Sequence, residues 1–321
     1  MSRSRTPSVR ARRGVDPRAV VAHLAVVVVL LVALEAYVNL TDAAVRPVQD
    51  LVAASTGINP HLIRAVVQSL LVLGGLGALA AVAVSERDLR FPLSVPERDA
   101  AGLVGVGALG AAVLAGLQIL PAVVTGALSG GNVAAAVAGL PGQLAGRTLV
   151  FLAVFVAGMA VLYHGLVQGL LRRSVGSERA VVATTLLSAY FATPRFGPST
   201  GGVRGGPWLD VSLTRAAVAV LVVVALAVAV YAVERVDDRR VRAAAAVPVV
   251  AAVALATVSF WQGVDLPWEA LTATSRVALV GVAAYVYADT DSLLAPAAVY
   301  GSYALVSLVV RSAVFYAVLG A

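Results

Sequence analysis

Few residues of this chain are able to do chemistry. Three histidines, His23, His61 and His164, fall in separate segments, so none shares a helix face with another at metal-ligand spacing. No cysteine is present, which removes thiolate metal sites, disulfides and a cysteine nucleophile. Without a single lysine no Ser/Lys pair can form, and serine catalysis is not expected. His164 stands inside the apolar run Met159-Ala160-Val161-Leu162-Tyr163-His164-Gly165-Leu166-Val167-Gln168-Gly169-Leu170-Leu171, which ends at Arg172-Arg173. An ionisable side chain in such a run marks a candidate site. The chemistry open to it is that of one imidazole, a proton acceptor or a hydrogen-bonding hub.

The segments that must position this residue are membrane helices. Of 321 residues 60% are hydrophobic and only 13% charged, with a mean hydropathy of +0.91. A soluble domain is closer to half apolar and a quarter charged. The net charge of +7 is no sign of nucleic-acid binding, because the arginines cluster in short connections. Arginine without lysine fits a GC-rich, archaeal-like composition. Residues 1–16 form an Arg-rich tail expected to be disordered. The apolar run that follows its Arg12-Arg13 pair is read as an uncleaved anchor helix rather than part of an export signal. Asp16-Pro17 is a helix start, and runs of about 20 apolar residues mark spans. Nine are expected, at about 17–40, 62–85, 100–122, 143–173, 177–193, 210–233, 243–262, 267–288 and 292–319. The count falls to eight if 267–288 does not cross. Residues 41–60 are expected as a connection, 86–99 as a charged loop, and Asp289-Thr290-Asp291 as the cap of the last helix. The fold class is thus all-α, a polytopic helical membrane protein with 8–9 transmembrane helices. Residues 17–142 form its N-terminal helices and residues 143–321 its core.

Arginines are denser in the tail and in loops 86–99, 172–179 and 234–242 than in the alternate loops. The asymmetry puts the N-terminus in the cytoplasm and the C-terminus outside a cell membrane. Trp208, Trp261 and Trp268 then fall at the outer interface, where an indole prefers to sit.

The run from Gly165 to Arg173 resembles the first motif of the CAAX prenyl endopeptidase and bacteriocin-processing (CPBP) family of intramembrane metalloproteases. That motif has two adjacent glutamates, then Arg-Gly, then a Leu-rich turn with basic residues. Gly165, Leu166, Gln168, Gly169, Leu170, Leu171, Arg172 and Arg173 keep the frame, while Met159 and Ala160 stand at the glutamate positions and His164 at the arginine. The family's Phe-x-x-x-His motif aligns with Ser188 and Ala192, or with Leu187 and Phe191 after a one-residue slip. Ser292-Leu293-Leu294-Ala295-Pro296 matches the start of its third helix and puts Tyr300 and Ala304 at the His-x-x-x-Asn positions. The resemblance covers roughly residues 146 to 310 and implies a CAAX-protease-like helical bundle. At about 1.5 Å per residue, Ala160, Ala192 and Tyr300 lie about 18, 20 and 12 Å from one membrane face, comparable depths.

The resemblance implies a water-activating site of which only His164 remains titratable. No catalytic residue, metal ligand or cofactor is therefore expected. Met159, Ala160, His164, Ser188, Ala192, Tyr300 and Ala304 are the vestigial-site positions. His164 is either a polar contact for a ligand or substrate helix, with Tyr300 and Gln168 nearby, or a neutral ring bonded to a carbonyl or hydroxyl of a neighbouring helix. Tyr163 and Tyr300 are expected to pack with satisfied hydroxyls, and Gln68 and Gln118 to bridge helices. Three functions follow. The first is a non-catalytic CPBP-like protein that holds a membrane-protein or lipidated-peptide partner in the bilayer. The second is a divergent active endopeptidase, which needs Glu35 close to His164. The third is a small-solute transporter, which calls for mid-bilayer helix breaks and an internal repeat.

Overall fold

In the computed structural model, the described residues are 16–57, 60–87, 89–124, 138, 147–192, 208–236, 238–261 and 267–319. They are helical almost throughout. The Arg-rich tail, the Gly-rich connection after residue 124, the Gly/Pro loop 194–207 and the side chains of Trp208, Trp261 and Trp268 lie outside the description.

α1 covers Pro17–Thr56, starting where Asp16 accepts the Arg18 N–H at 3.0 Å and ending at Gly57 in the left-handed conformation. The connection expected over 41–60 is therefore corrected. Residues 41–56 continue α1 as helix, with Pro47 inside it, and Pro60 already belongs to the next helix. Proline removes one backbone donor, yet polar Thr41, Arg46, Gln49 and Asp50 do not end a helix by themselves. Their loss of apolarity marks the exit from lipid rather than the end of the coil. A helix of 40 residues is about 60 Å long, about twice the hydrocarbon thickness.

α2 covers Pro60–Arg87, and α3 covers Arg98–Gly116. A 3₁₀ turn, Leu117–Ile119, leads to the short α4, Leu120–Val124. One continuous rod follows: α5 (Arg147–Met159), a π-helical segment (Ala160–Gln168) and α6 (Gly169–Val175). α7 is Ser177–Ala192, α8 Trp208–Arg235, α9 Arg239–Ala244, α10 Ala246–Trp261, α11 Pro267–Thr290 and α12 Leu294–Leu319. The cap of α12 also differs from expectation. Asp289 and Thr290 belong to α11, and the Ser292 hydroxyl accepts the Leu294 N–H at 3.3 Å. Among the described residues, six helices are long and apolar enough to cross a membrane, and 216–232 and 294–310 are shorter apolar stretches.

Two cores form, and the rod carrying His164 is the wall between them. One gathers Val27 and Leu31 of α1, Leu76 of α2, Ala180 of α7, and Leu162, Leu166 and Leu170 of the rod. The other gathers Ala111 and Ala115 of α3, Leu279 and Ala283 of α11, and Val299 and Tyr300 of α12. Met159 packs against both. In the apolar 18-residue window within Leu152–Val175 the rod is 56% buried, the highest share of any candidate span. A surface span would instead turn most of its residues to lipid.

Close approach of backbones is confined to a few glycines. A Cβ at Gly107 would meet Val286 at 2.9 Å and Val299 at 3.3 Å, so α3 can lie against α11 and α12 only with hydrogen there. Gly102, Gly105, Gly110 and Gly116 face open space instead. Two polar bonds tie the same helices. Ser302 donates to the Ala108 carbonyl at 2.8 Å, and Gln118 donates to the Tyr303 hydroxyl at 2.5 Å, the bridge expected of Gln118.

The segment 89–97 is not a freely solvated charged loop. Leu89 is buried and Phe91 packs against the first core. The Pro92 carbonyl accepts the Leu293 N–H at 2.8 Å, and the Ser94 carbonyl accepts the Ser292 hydroxyl at 2.5 Å. A strap thus crosses from α2 to α3 beneath the rod, pinned to the turn between α11 and α12.

A closed polar chain at the candidate functional site

The site begins with a change in backbone winding. From Ala160 to Gln168 the rod is π-helical, and the Gly169 N–H points at the His164 carbonyl five residues back. Such winding is rare and is found mostly as single turns at functional positions. His164 and Gln168, four residues apart, share one face of this segment, and both are fully buried.

Gln168 fixes the protonation pattern of the whole group. Its Nε2 donates to the Ala284 carbonyl of α11 at 2.9 Å, so the amide orientation is set and Oε1 is left as an acceptor. Oε1 lies 2.8 Å from His164 Nδ1, which must therefore carry the hydrogen. Nε2 of the same ring then has the lone pair and accepts the Tyr300 hydroxyl, 2.8 Å away on α12. The chain runs Tyr300 to His164 to Gln168 to Ala284, crossing three helices with every member satisfied. In a water-poor interior this is the condition under which buried polar groups do not cost stability. The imidazole stacks on Tyr300 with centroids 5.6 Å apart and lies 5.8 Å from the Tyr287 ring. Phe155 closes the other side of Tyr300 edge-on at 6.3 Å.

At the exit of the rod, Arg172 pairs with Asp291 at 2.6 Å and lies over the Tyr287 ring at 5.7 Å. Asp291 holds a φ of +46°, which an L residue adopts at some cost. The strap closes the same end. A Cβ on Gly165 would stand 2.5 Å from Phe91, and one on Gly169 would stand 3.5 Å from Leu89.

The structure places the expected positions as follows. His164 and Tyr300 touch directly, with Gln168 completing the group. Ala160 is buried and Met159 half-buried. Ser188 is fully buried on α7, one turn from equally buried Thr184, and neither hydroxyl has a hydrogen-bond partner. Ala304 is half-buried one turn beyond Tyr300, and the side chain of Ala192 lies outside the description. Among the described residues no three His, Asp or Glu side chains gather where they could hold a metal ion.

Three features were not foreseen: the strap, the π winding, and the anchoring of Gln168 to Ala284. Phe91-Pro92 inside an otherwise charged loop was the signal available for the strap. Gly197-Pro198-Ser199-Thr200-Gly201 also has the G-x-S-x-G spacing. That motif acts on a strand-to-helix turn, and this stretch lies outside the described residues.

In chemical terms the group links three helices through one imidazole. A general base takes a proton from a group within hydrogen-bond reach of its lone pair. The His164 lone pair is already given to Tyr300, and no part of the ring is exposed. Comparison with known proteins adds no relative, as no protein-family model, curated protein or solved structure matches the chain.

Proposed function

We propose that this chain is a non-catalytic polytopic membrane protein on a CPBP-like helical frame, which holds a membrane-embedded or lipidated partner. The observation that carries the reading is the closed chain Tyr300–His164–Gln168–Ala284. A protease of this kind must present a base or metal ligands to water. Here the one histidine at the matched positions is consumed in joining helices. Met159 and Ala160, at the glutamate positions, have no group that polarises water.

Nine spans result when the six long apolar helices, the two shorter apolar stretches and the 16-residue α7 are each taken as one crossing. With nine, the arginine asymmetry puts the N-terminus in the cytoplasm and the C-terminus outside. The test is cleavage of prenylated and transmembrane peptides by the purified protein with Zn²⁺, Mn²⁺ or no metal. No metal-dependent cleavage is expected, from the wild type or from His164→Ala. Cleavage that His164→Ala abolishes would overturn the reading.

A further inference from the structure

We propose that the π-helical segment is a two-position switch, in which His164 and Gln168 turn from their partners on α12 and α11 to Ser188 and Thr184 of α7. The basis is a second set of polar groups at matching depth. Gly176, at φ +81°, is the turn between α6 and α7. Gln168 stands eight residues before it and Thr184 eight after, while His164 stands twelve before and Ser188 twelve after. α7 packs back against both α6 and the π segment. Two antiparallel helices leaving one turn put Gln168 level with Thr184, about 12 Å in, and His164 level with Ser188, about 18 Å in. Ala180, Thr184 and Ser188 share one face of α7 at four-residue spacing. Ala180 belongs to the first core with Leu166 and Leu170 of the rod, so that face looks at the rod.

Both hydroxyls are fully buried without a partner, although a local one is within reach. Thr185, next in the chain, donates to the Val181 carbonyl at 2.8 Å, and Thr257 and Thr290 make the same bond four residues back. Thr184 and Ser188 instead aim off their own backbone, and a buried polar group left so calls for a reason. The winding of the rod supplies the motion. A π turn holds one more residue than an α turn, and one residue of α-helix is about 100° of rotation. Tightening one turn rotates the residues on its two sides by about that angle relative to each other. α7, α11 and α12 all touch the π segment, and α11 packs against both of the others, so it lies between them around the rod. One sense of rotation therefore carries both side chains toward α7. His164 passes from Tyr300 across α11 to Ser188, and Gln168, helped by its own side-chain torsions, passes from the Ala284 carbonyl to Thr184. The same imidazole and amide serve both positions, so the two sets of bonds exclude each other, as a bistable element requires.

The experiment is relaxation-dispersion NMR of the full chain in micelles, isotope-labelled at the histidine rings, because register shifts of helices fall in the μs–ms range that this method reads. Three histidines give three signals, and His164→Leu identifies the one concerned. Wild type should hold the second position as a minor one. Tyr300→Phe removes a bond of the observed position and should raise that minor population about tenfold. Thr184→Val with Ser188→Ala removes the partners of the second position and should abolish the exchange, both alone and on the Tyr300→Phe background, while leaving the His23 and His61 signals as they were. A minor population that Tyr300→Phe leaves unchanged, or exchange at His164 that survives Thr184→Val with Ser188→Ala, would each overturn the proposal.

Discussion

Tyr300→Phe removes one oxygen from the centre of the molecule and nothing else. The phenyl ring keeps its edge contact with Phe155 and its stacking on His164, so the lost term is the hydrogen bond to Nε2 at 2.8 Å. Interhelical bonds in membrane proteins average about 0.6 kcal/mol and reach about 1.7, because the unfolded chain in lipid also finds partners. Here the deserted lone pair stays at a fully buried atom, out of contact with solvent. Leaving such an acceptor unsatisfied costs about 1–3 kcal/mol. The two ranges overlap at about 1–2 kcal/mol, and that is the expected loss. His164→Leu should cost more, since it abandons the Tyr300 hydroxyl and Gln168 Oε1 together. Combining it with Tyr300→Phe should recover part of the loss, because the orphaned hydroxyl then disappears. Reversible unfolding in mixed micelles, followed by circular dichroism, gives the full double-mutant cycle. A Tyr300→Phe cost below about 0.3 kcal/mol, with singles that simply add, would refute the argument that this chain joins the helices.

Gly165→Ala and Gly169→Ala should differ in sign. The first puts a methyl 2.5 Å from Phe91 on a strap pinned at both Pro92 and Ser94, and should destabilise by about 1–2 kcal/mol. The second meets Leu89 at an ordinary 3.5 Å and should gain up to about 1 kcal/mol of helix propensity; melting temperatures in one detergent decide both. Phe91→Ala should restore part of the Gly165→Ala loss in the same melts. Asp291→Gly relieves the positive φ while losing a solvent-exposed ion pair, so stability should change by less than about 1 kcal/mol. Asp291→Val keeps the strain and should cost about 1–2 kcal/mol, read by the same unfolding titration. Thr184→Val replaces a buried hydroxyl that has no partner and should stabilise by about 1 kcal/mol; a loss of that size would mean that the hydroxyl is bonded after all.

Much of the helical layout was legible because lipid allows few answers. A run of apolar residues in lipid must satisfy its own backbone, so composition alone predicts helix. Asp16-Pro17 marked the start of α1 through capping chemistry that needs no tertiary partner. The end of α1 was missed because polar composition reports where lipid stops, and a helix can continue in water. His164 stood out for the same kind of reason as the helices did. An ionisable group in an apolar run is visible without knowing what surrounds it.

What surrounds His164 was decided by the fold. Gln168 is four residues away and could be guessed as a neighbour, but the carbonyl that orients it belongs to Ala284, 116 positions later. Tyr300 lies 136 positions on, and its hydroxyl sets which ring nitrogen accepts. Whether the imidazole is a base or a bridge depends on those two partners, and no local pattern encodes them. Sequence fixes which groups are able to bond, since that is covalent chemistry. Only packing fixes which bonds they make, since donors and acceptors far apart in the chain meet at 2.8 Å only when three helices have found one another.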